Sequence, residues 1–172
     1  MFDVFGTPII YGFHNEAHKA FSNFSPHRVV VWDLEFDTSE HAYQWAKTLI
    51  PEEKRRVLIK SLGFDSNGPI ERSTTAGEAK REGKLVTKRP DWEEVRFDIM
   101  VEILRAKFRQ NRDAQKVLLS TEDAILIEGN TWHDNIWGDC SCGDRPECKT
   151  PGLNLLGKAL MLVRKELQDE LW

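Results

Sequence analysis

Two apolar stripes at helical spacing constrain this chain more than any other feature. Trp92, Val95, Ile99 and Ile103 recur every three or four residues, and Leu156, Leu160, Val163, Leu167 and Leu171 do the same near the C-terminus. Side chains three and four apart share one helix face, so each stripe predicts an amphipathic helix with one face to bury. The first opens at Asp91-Trp92-Glu93-Glu94, a start resembling a capping box, with Glu94 at the third helical position. The second begins near Asn154. With 172 residues, 40% hydrophobic and 30% charged, the chain has the apolar surface for one domain, read as residues 1–172.

The remaining elements are shorter. Residues 7–14 and 28–36 are rich in β-branched and aromatic side chains, and the second stretch reads as two strands around a tight turn, a small sheet at most. From Thr38 the period turns helical: Asp37 or Ser39 can cap a helix to about Leu49, and Pro51 starts another through Lys54 to Ile59. A Gly/Asn/Pro-rich segment, 63–69, precedes a further helix over 73–83. Residues 113–119 read as a short helix and 124–128 as a short strand. The long loop 129–152 carries Trp132, Trp137 and every cysteine, and loops of that length in a compact domain are functional or braced. The fold class is therefore mainly α, or α+β in the strict sense, with a small β element near the N-terminus.

Charge and targeting signals exclude several functions. The net charge is -4, so nothing global draws the chain onto a nucleic-acid backbone. The basic runs Lys54-Arg55-Arg56, Lys80-Arg81 with Lys84, and Lys88-Arg89 are solvated helix faces or, locally, a rim for phosphate. No basic segment followed by a long apolar stretch opens the chain, and no run of about 18 apolar residues occurs in it. A soluble, cytoplasmic protein with no membrane partner is expected. The three cysteines, Cys140, Cys142 and Cys148, are odd in number and close together, which does not suit a secreted disulfide framework. Free thiols are the reading taken. The alternative is zinc, for which His133 is the nearest fourth ligand, although the spacing is not that of a common zinc knuckle.

The chemistry concentrates in three words. Glu40, Tyr43, Gln44 and Lys47 lie on one face of the helix predicted from Thr38, at about 100° per residue. A carboxyl, a hydrogen-bonding pair and an amine on one face suit cleavage of a glycosidic carbon–nitrogen bond, where the leaving nitrogen gains a proton and the oxocarbenium-like sugar is stabilised or captured. Glu40 is the candidate acid. The same residue also fits a capping role at the third position after Asp37, and Lys47 also fits a solvated helix lysine. Trp132 and Trp137 lie in a loop and can stack on a base or plug the loop onto the core. Asp134, Asp139 and Asn23 can hold ribose hydroxyls or simply make turns. Asn154 before a helix containing Gly157, with Lys158 one turn in, can hold a phosphate or serve as an N-cap with close helix packing.

Together these words resemble the NADAR family, whose bacterial members include the YbiA-type N-glycosidases. The resemblance runs from about Phe21 to Arg164. It rests on Phe21-Ser22-Asn23-Phe24, Ser39-Glu40-His41-x-x-Gln44-x-x-Lys47, Trp92 in the Asp-Trp pair, Arg105-Ala106-Lys107-Phe108, Glu128, Asp134-x-x-Trp137-Gly138-Asp139, and Gly152-x-Asn154-x-Leu156-Gly157 through Arg164. It implies an orthogonal, mainly helical fold with a small β element. It also implies hydrolysis of N-glycosides, with two substrate classes: ribosylamino-pyrimidine phosphates of the riboflavin pathway, and ADP-ribose on guanine in DNA, RNA or nucleotides.

In both substrates a phosphorylated ribose hangs on an exocyclic nitrogen, so the sugar ring can open to an imine and a pocket amine can exchange with the base. The implied catalytic set is Glu40 with Lys47 as first and Lys107 as second choice of amine, and Asp139. Direct water attack assisted by Glu40 stays open. Asn23, Phe24, Tyr43, Gln44, Trp92, Asp134, Trp137, Gly138, Asn154, Gly157 and Lys158 form the implied ligand-binding set. No cofactor is required. Cys140 to Thr150 departs from shorter members as a cysteine-containing insert beside the expected pocket. Outside this chemistry, a non-catalytic ADP-ribose sensor would have no use for Glu40 as an acid, and a zinc-braced interaction domain would carry stoichiometric metal.

Overall fold

The structure is a computed structural model describing residues 1–170. In chain order its elements are β1 (Ile9–Tyr11), β2 (Val29–Val31), β3 (Leu34–Phe36), α1 (Ser39–Ala46), α2 (Pro51–Leu58), β4 (Ile59–Asp65), β5 (Gly68–Ser73), α3 (Ala76–Glu82), α4 (Trp92–Gln110), α5 (Arg112–Leu119), β6 (Ile125–Ile127), β7 (Gly129–Asn130), β8 (Asp139–Cys140) and α6 (Leu155–Asp169). Short 3₁₀ turns cover Lys19–Phe21 and Pro146–Lys149. The chain divides into two compact units: Asn23–Ala106, and Met1–Ser22 with the chain from Lys107 onward.

In the unit Asn23–Ala106, β2 and β3 pair antiparallel, Val29 opposite Phe36 and Val31 opposite Leu34. Trp32 and Asp33 between them both have φ in the left-handed region, 55 and 58°. A two-residue turn of that kind matches the twist of the strands it joins. Trp32 then stacks on Trp45 of α1 with centroids 5.8 Å apart, and the Lys54 ammonium lies 3.6 Å from the centre of the Trp45 ring. Helices α1, α2 and α3 pack on one another around Val57, Ala79 and Val86.

The cap of α1 is neither Asp37 nor Ser39 but Thr38, whose Oγ1 accepts from the His41 amide. At the start of α4, the Asp91 carboxylate takes the Arg89 guanidinium at 2.6 and 2.8 Å. The expected helix over 73–83 is shorter, starting after Thr75, which forms a capping box with Glu78. The segment 63–69, read as a break between helices, belongs to a hairpin of β4 and β5. Nearly all of its side chains face solvent, so neither face leaves the alternating pattern by which a half-buried strand is recognised.

In the other unit, β1 pairs in parallel with β6, Ile9 beside Ile125 and Tyr11 beside Ile127, joining segments far apart in sequence. Phe13, Phe21 and Phe108 are fully buried, with edge-on contacts at 5.3 and 6.3 Å between rings. Most of both apolar stripes is buried: Trp92, Ile99 and Ile103 on α4, with Val95 half-buried, and Leu156, Leu160, Val163 and Leu167 on α6. Leu171 lies outside the described residues. Gly157 is where α6 meets β6, since a Cβ there would overlap the Leu126 carbonyl oxygen. Four two-stranded sheets are present among the described residues rather than one small N-terminal element. Among these residues no helix is long and apolar enough to cross a membrane.

Candidate active site

Because Thr38 caps α1, Glu40 is the second helical residue rather than the third, and the capping role for it disappears. Its carboxyl accepts a 2.7 Å hydrogen bond from Gln44 Nε2, one turn along the same helix. Glu40 is 5% exposed. Burial pushes its carboxyl above the usual range, against the Gln44 hydrogen bond and the charges of Lys80, Lys47 and His41.

Lys47 follows α1 and donates to the Gly83 carbonyl at 3.3 Å, with its ammonium 5.4 Å from the Tyr43 ring centre. Burial lowers its pKa to about 8, Glu40 opposing and Lys88, Lys80 and Lys84 adding to the fall. One helix face thus holds a carboxyl inclined to keep its proton and an amine inclined to lose one.

Asn23 joins this group through its backbone, its carbonyl accepting from the Glu40 amide at 3.0 Å. Its side-chain amide donates to the Met100 sulfur at 3.5 Å. Asn23 Oδ1, Ser39 Oγ and Gln44 Oε1 are buried without a hydrogen-bond partner, which is unusual in a native interior and marks places where a ligand or water completes the set. The exposed ring of Phe24 lies under the Lys80 ammonium at 5.4 Å. Trp92 and Tyr43 are both buried, their rings 5.1 Å apart. The unit Asn23–Ala106 therefore gathers Asn23, Phe24, Glu40, Tyr43, Gln44, Lys47 and Trp92.

Three supporting features surround this group. His41 is buried with Nδ1 2.8 Å from Thr38 Oγ1 and Nε2 2.9 Å from the Thr74 carbonyl, anchoring α1 to the start of α3. Gly83 leaves room for Gln44, whose side-chain oxygen a Cβ there would overlap. Lys80, Lys84 and Lys88 surround Lys47 electrostatically. The sequence signal for the last was the basic runs read as solvated faces or a phosphate rim, with Lys80 inside α3 and Lys84 and Lys88 after it.

The other unit holds the remaining candidates. Lys107 is fully buried, donates to the Ser22 carbonyl at 2.9 Å, and has its pKa lowered by desolvation to about 7. Asp134 Oδ1 accepts from the amides of Ile136 and Trp137 at 3.1 and 2.8 Å. Asp139 Oδ1 accepts from the Gly152 amide at 2.8 Å, and Gly138 is buried against the Glu128 carbonyl. Trp137 is half-buried. Asn154 precedes α6 with φ of 50° and makes no side-chain cap; it accepts from the Glu128 amide at 3.0 Å and donates to the Leu126 carbonyl at 2.8 Å. Its side chain ties α6 to β6, Gly157 allows the close approach, and Lys158 is exposed. The loop also brings His133, Cys140, Cys142 and Cys148 into one cluster.

The NADAR domain model matches residues 11–168, and the chain belongs to the NADAR family. It is 35% identical over 156 residues to an N-glycosidase of Nostoc punctiforme, covering 90% of this chain and 88% of that protein. It is 32% identical over 154 residues to the chloroplastic riboflavin biosynthesis protein PYRR of Zea mays, covering 86% of this chain but 23% of that longer one. The NMR structure of the Escherichia coli protein YbiA aligns with 99% of this chain and 88% of its own, at a TM-score of 0.74 and 30% identity. The YbiA-like fold implied by the motifs is thereby shown.

Proposed function

We propose that this chain is an N-glycosidase that hydrolyses the bond between a phosphorylated ribose and an exocyclic base nitrogen, with ADP-ribose on guanine as its substrate class. The observation that carries this reading is the buried Glu40 carboxyl, held by Gln44 on the same helix face as the desolvated Lys47. A carboxyl whose pKa is raised by burial can keep its proton near neutrality and give it to a leaving nitrogen. An amine lowered to about 8 has an appreciable neutral fraction, which a nucleophile requires. The N-glycosidase name of the Nostoc relative agrees with this chemistry.

In the reaction proposed, the ribose ring opens to the imine of C1 with the exocyclic nitrogen. The Lys47 amine adds to C1, Glu40 protonates the departing nitrogen, and the base leaves as a free amine. Water then adds to the lysine imine, with Glu40 as base, and the released sugar aldehyde closes its ring. Lys107 is the second candidate amine, and direct water attack assisted by Glu40 is the route without a covalent intermediate. No cofactor enters either route. Lys80, Lys84 and Lys88 supply positive charge suited to the substrate phosphates. The family match spans both units, which supports residues 1–172 acting as one NADAR domain, and a cytoplasmic location is part of the proposal.

A second reading within the same chemistry is hydrolysis of a ribosylamino-pyrimidine phosphate, favoured by the riboflavin-biosynthesis name of the maize relative. The experiment follows free ADP-ribose from a guanine-ADP-ribosylated DNA oligonucleotide beside ribose phosphate from the pyrimidine intermediate, using the parent, Glu40→Gln and Lys47→Ala proteins. Release from the oligonucleotide that collapses in Glu40→Gln supports the main reading, and release from the pyrimidine alone favours the second. Nucleotide binding with no release from either, unchanged by Glu40→Gln, would leave a non-catalytic sensor.

A further inference from the structure

We infer that His133, Cys140, Cys142 and Cys148 form a structural zinc site that braces the loop between β7 and α6. The His133 Nδ1 and the three Sγ atoms all lie within 4.8 Å of one another. Cys142 Sγ is 3.2 Å and Cys148 Sγ 3.7 Å from His133 Nδ1. Zn–S bonds of about 2.3 Å and Zn–N bonds of about 2.0–2.1 Å in a tetrahedron place neighbouring ligand atoms roughly 3.5–3.8 Å apart. The observed separations bracket that range, so a tetrahedral ion needs only small side-chain movements.

The donor set also selects the metal. Three thiolates and one imidazole are soft to borderline ligands that suit zinc and not calcium or magnesium. Four protein ligands fill the tetrahedron and leave no open position for water, as in structural rather than catalytic zinc sites.

The surrounding backbone presents the ligands from fixed places. Parallel pairing of β7 with β8 sets Asn130 beside Cys140. Asn130 Oδ1 accepts from the amides of Trp132 and Asp134, on either side of His133. Asn135 Oδ1 accepts from the Cys140 amide at 2.8 Å, and its amide donates to the Glu147 carbonyl at 2.6 Å, next to Cys148. His133 itself has φ of 67°, a left-handed conformation that persists in a non-glycine residue only where its surroundings hold it. A loop with little regular structure thus spends its polar side chains on positioning the residues that carry three thiols and an imidazole. The sequence offers His133 as the nearest fourth ligand, and the pairing of the two strands is what brings it to the thiols. The inference is independent of the catalytic reading.

The test uses the full chain, purified untagged under reducing conditions. Elemental analysis is expected to give one zinc per chain, retained through dialysis and released when a mercurial reagent titrates the thiols. Apoprotein given Co²⁺ is expected to show thiolate-to-cobalt charge transfer with the visible bands of a tetrahedral ion. Cys142→Ser and His133→Ala each should weaken Co²⁺ binding by about tenfold or more, since even groups outside a ligand set act on that scale. The cobalt titration of the parent protein needs no variant, so a variant that fails to fold leaves the test intact. Absence of the charge-transfer band with excess Co²⁺, a disulfide in place of the metal, or stoichiometric zinc unaffected by either substitution would overturn the proposal.

Discussion

The helix face of Glu40 and the loop from 129 to 152 are opposites in how they treat buried polar groups. Around Glu40, Asn23 Oδ1, Ser39 Oγ and Gln44 Oε1 lack partners, and a carboxyl and an amine are shifted toward their neutral forms. In the loop, the side chains of Asn130, Asp134, Asn135 and Asp139 bind backbone amides or carbonyls. Unsatisfied buried groups cost stability and are retained where a ligand completes them, while satisfied ones rigidify. One region keeps unmet polar atoms and displaced proton equilibria, and the other is built to hold still.

Replacing Glu40 tests the reactive side most severely. Glu40→Gln should cut kcat by about 10²–10⁴-fold, the range of a lost general acid. It should at the same time leave the melting temperature unchanged or raise it. The sign follows from linkage: the folded pKa of Glu40 lies above its unfolded value, so its contribution is fully favourable below the unfolded pKa and is lost as pH rises through the folded one. At neutral pH the glutamine removes that loss, and thermal melts from pH 4 to 8 should show the variant's advantage growing with pH. A variant that loses both activity and stability would make Glu40 a structural residue.

The pH profile sharpens the role of Lys47. If its neutral amine attacks, the proton that Glu40 must hold gives kcat/KM one limb and Lys47 gives it another near 8. Lys47→Ala should lower the rate and remove that limb; a limb that survives transfers the nucleophile to Lys107 or water. Stability changes in the opposite sense: a lysine with a depressed pKa is favourable above its unfolded value of 10.5 and loses that as pH falls toward 8. Lys47→Met should therefore melt higher than the parent at pH 7, with the difference closing above pH 10.

On the rigid side, Asn154→Ala strands the Glu128 amide and the Leu126 carbonyl. Equilibrium denaturation should show a loss of about 2–3 kcal/mol, with KM unaffected in what remains folded. A raised KM with unchanged stability would return Asn154 to the phosphate-binding role that its sequence context allowed.

The smallest effect expected concerns a polar cleft of about 360 Å³ in the unit Asn23–Ala106, lined by residues including Arg55, Arg56, Lys60 and Arg81, with Glu78 and Glu82. Neither Glu40 nor Lys47 lines it. Arg56→Glu with Arg81→Glu should lower kcat/KM on a modified oligonucleotide by roughly tenfold and flatten its salt dependence. Turnover of a modified mononucleotide should not change, and equal losses on both would count against a nucleic-acid substrate.

Much of the helical frame was legible, because a buried helix writes its period into the sequence. The stripes on α4 and α6 and the common face of Glu40, Gln44 and Lys47 rest on spacing, and Pro51 opening α2 rests on proline's fixed φ. The cap of α1 slipped by one residue because Asp37, Thr38 and Ser39 are all competent, and only the folded turn decides which oxygen reaches the His41 amide. The hairpin of β4 and β5 left no pattern because it buries neither face. The role of Asn154 was hidden for another reason: the same residue type can cap a helix, hold an anion or tie a helix to a strand, and its partners lie 26 and 28 residues away.

By itself the sequence determined which residues share a helix face, which stripes are buried and which family the chain joins, since backbone periodicity and motif order are properties of the chain read along its length. Only the tertiary structure decided that Glu40 and Lys47 are desolvated and that His133 meets three thiols. Burial shifts a proton equilibrium only when distant segments exclude water from it, and a four-ligand cluster exists only after β7 and β8 have paired.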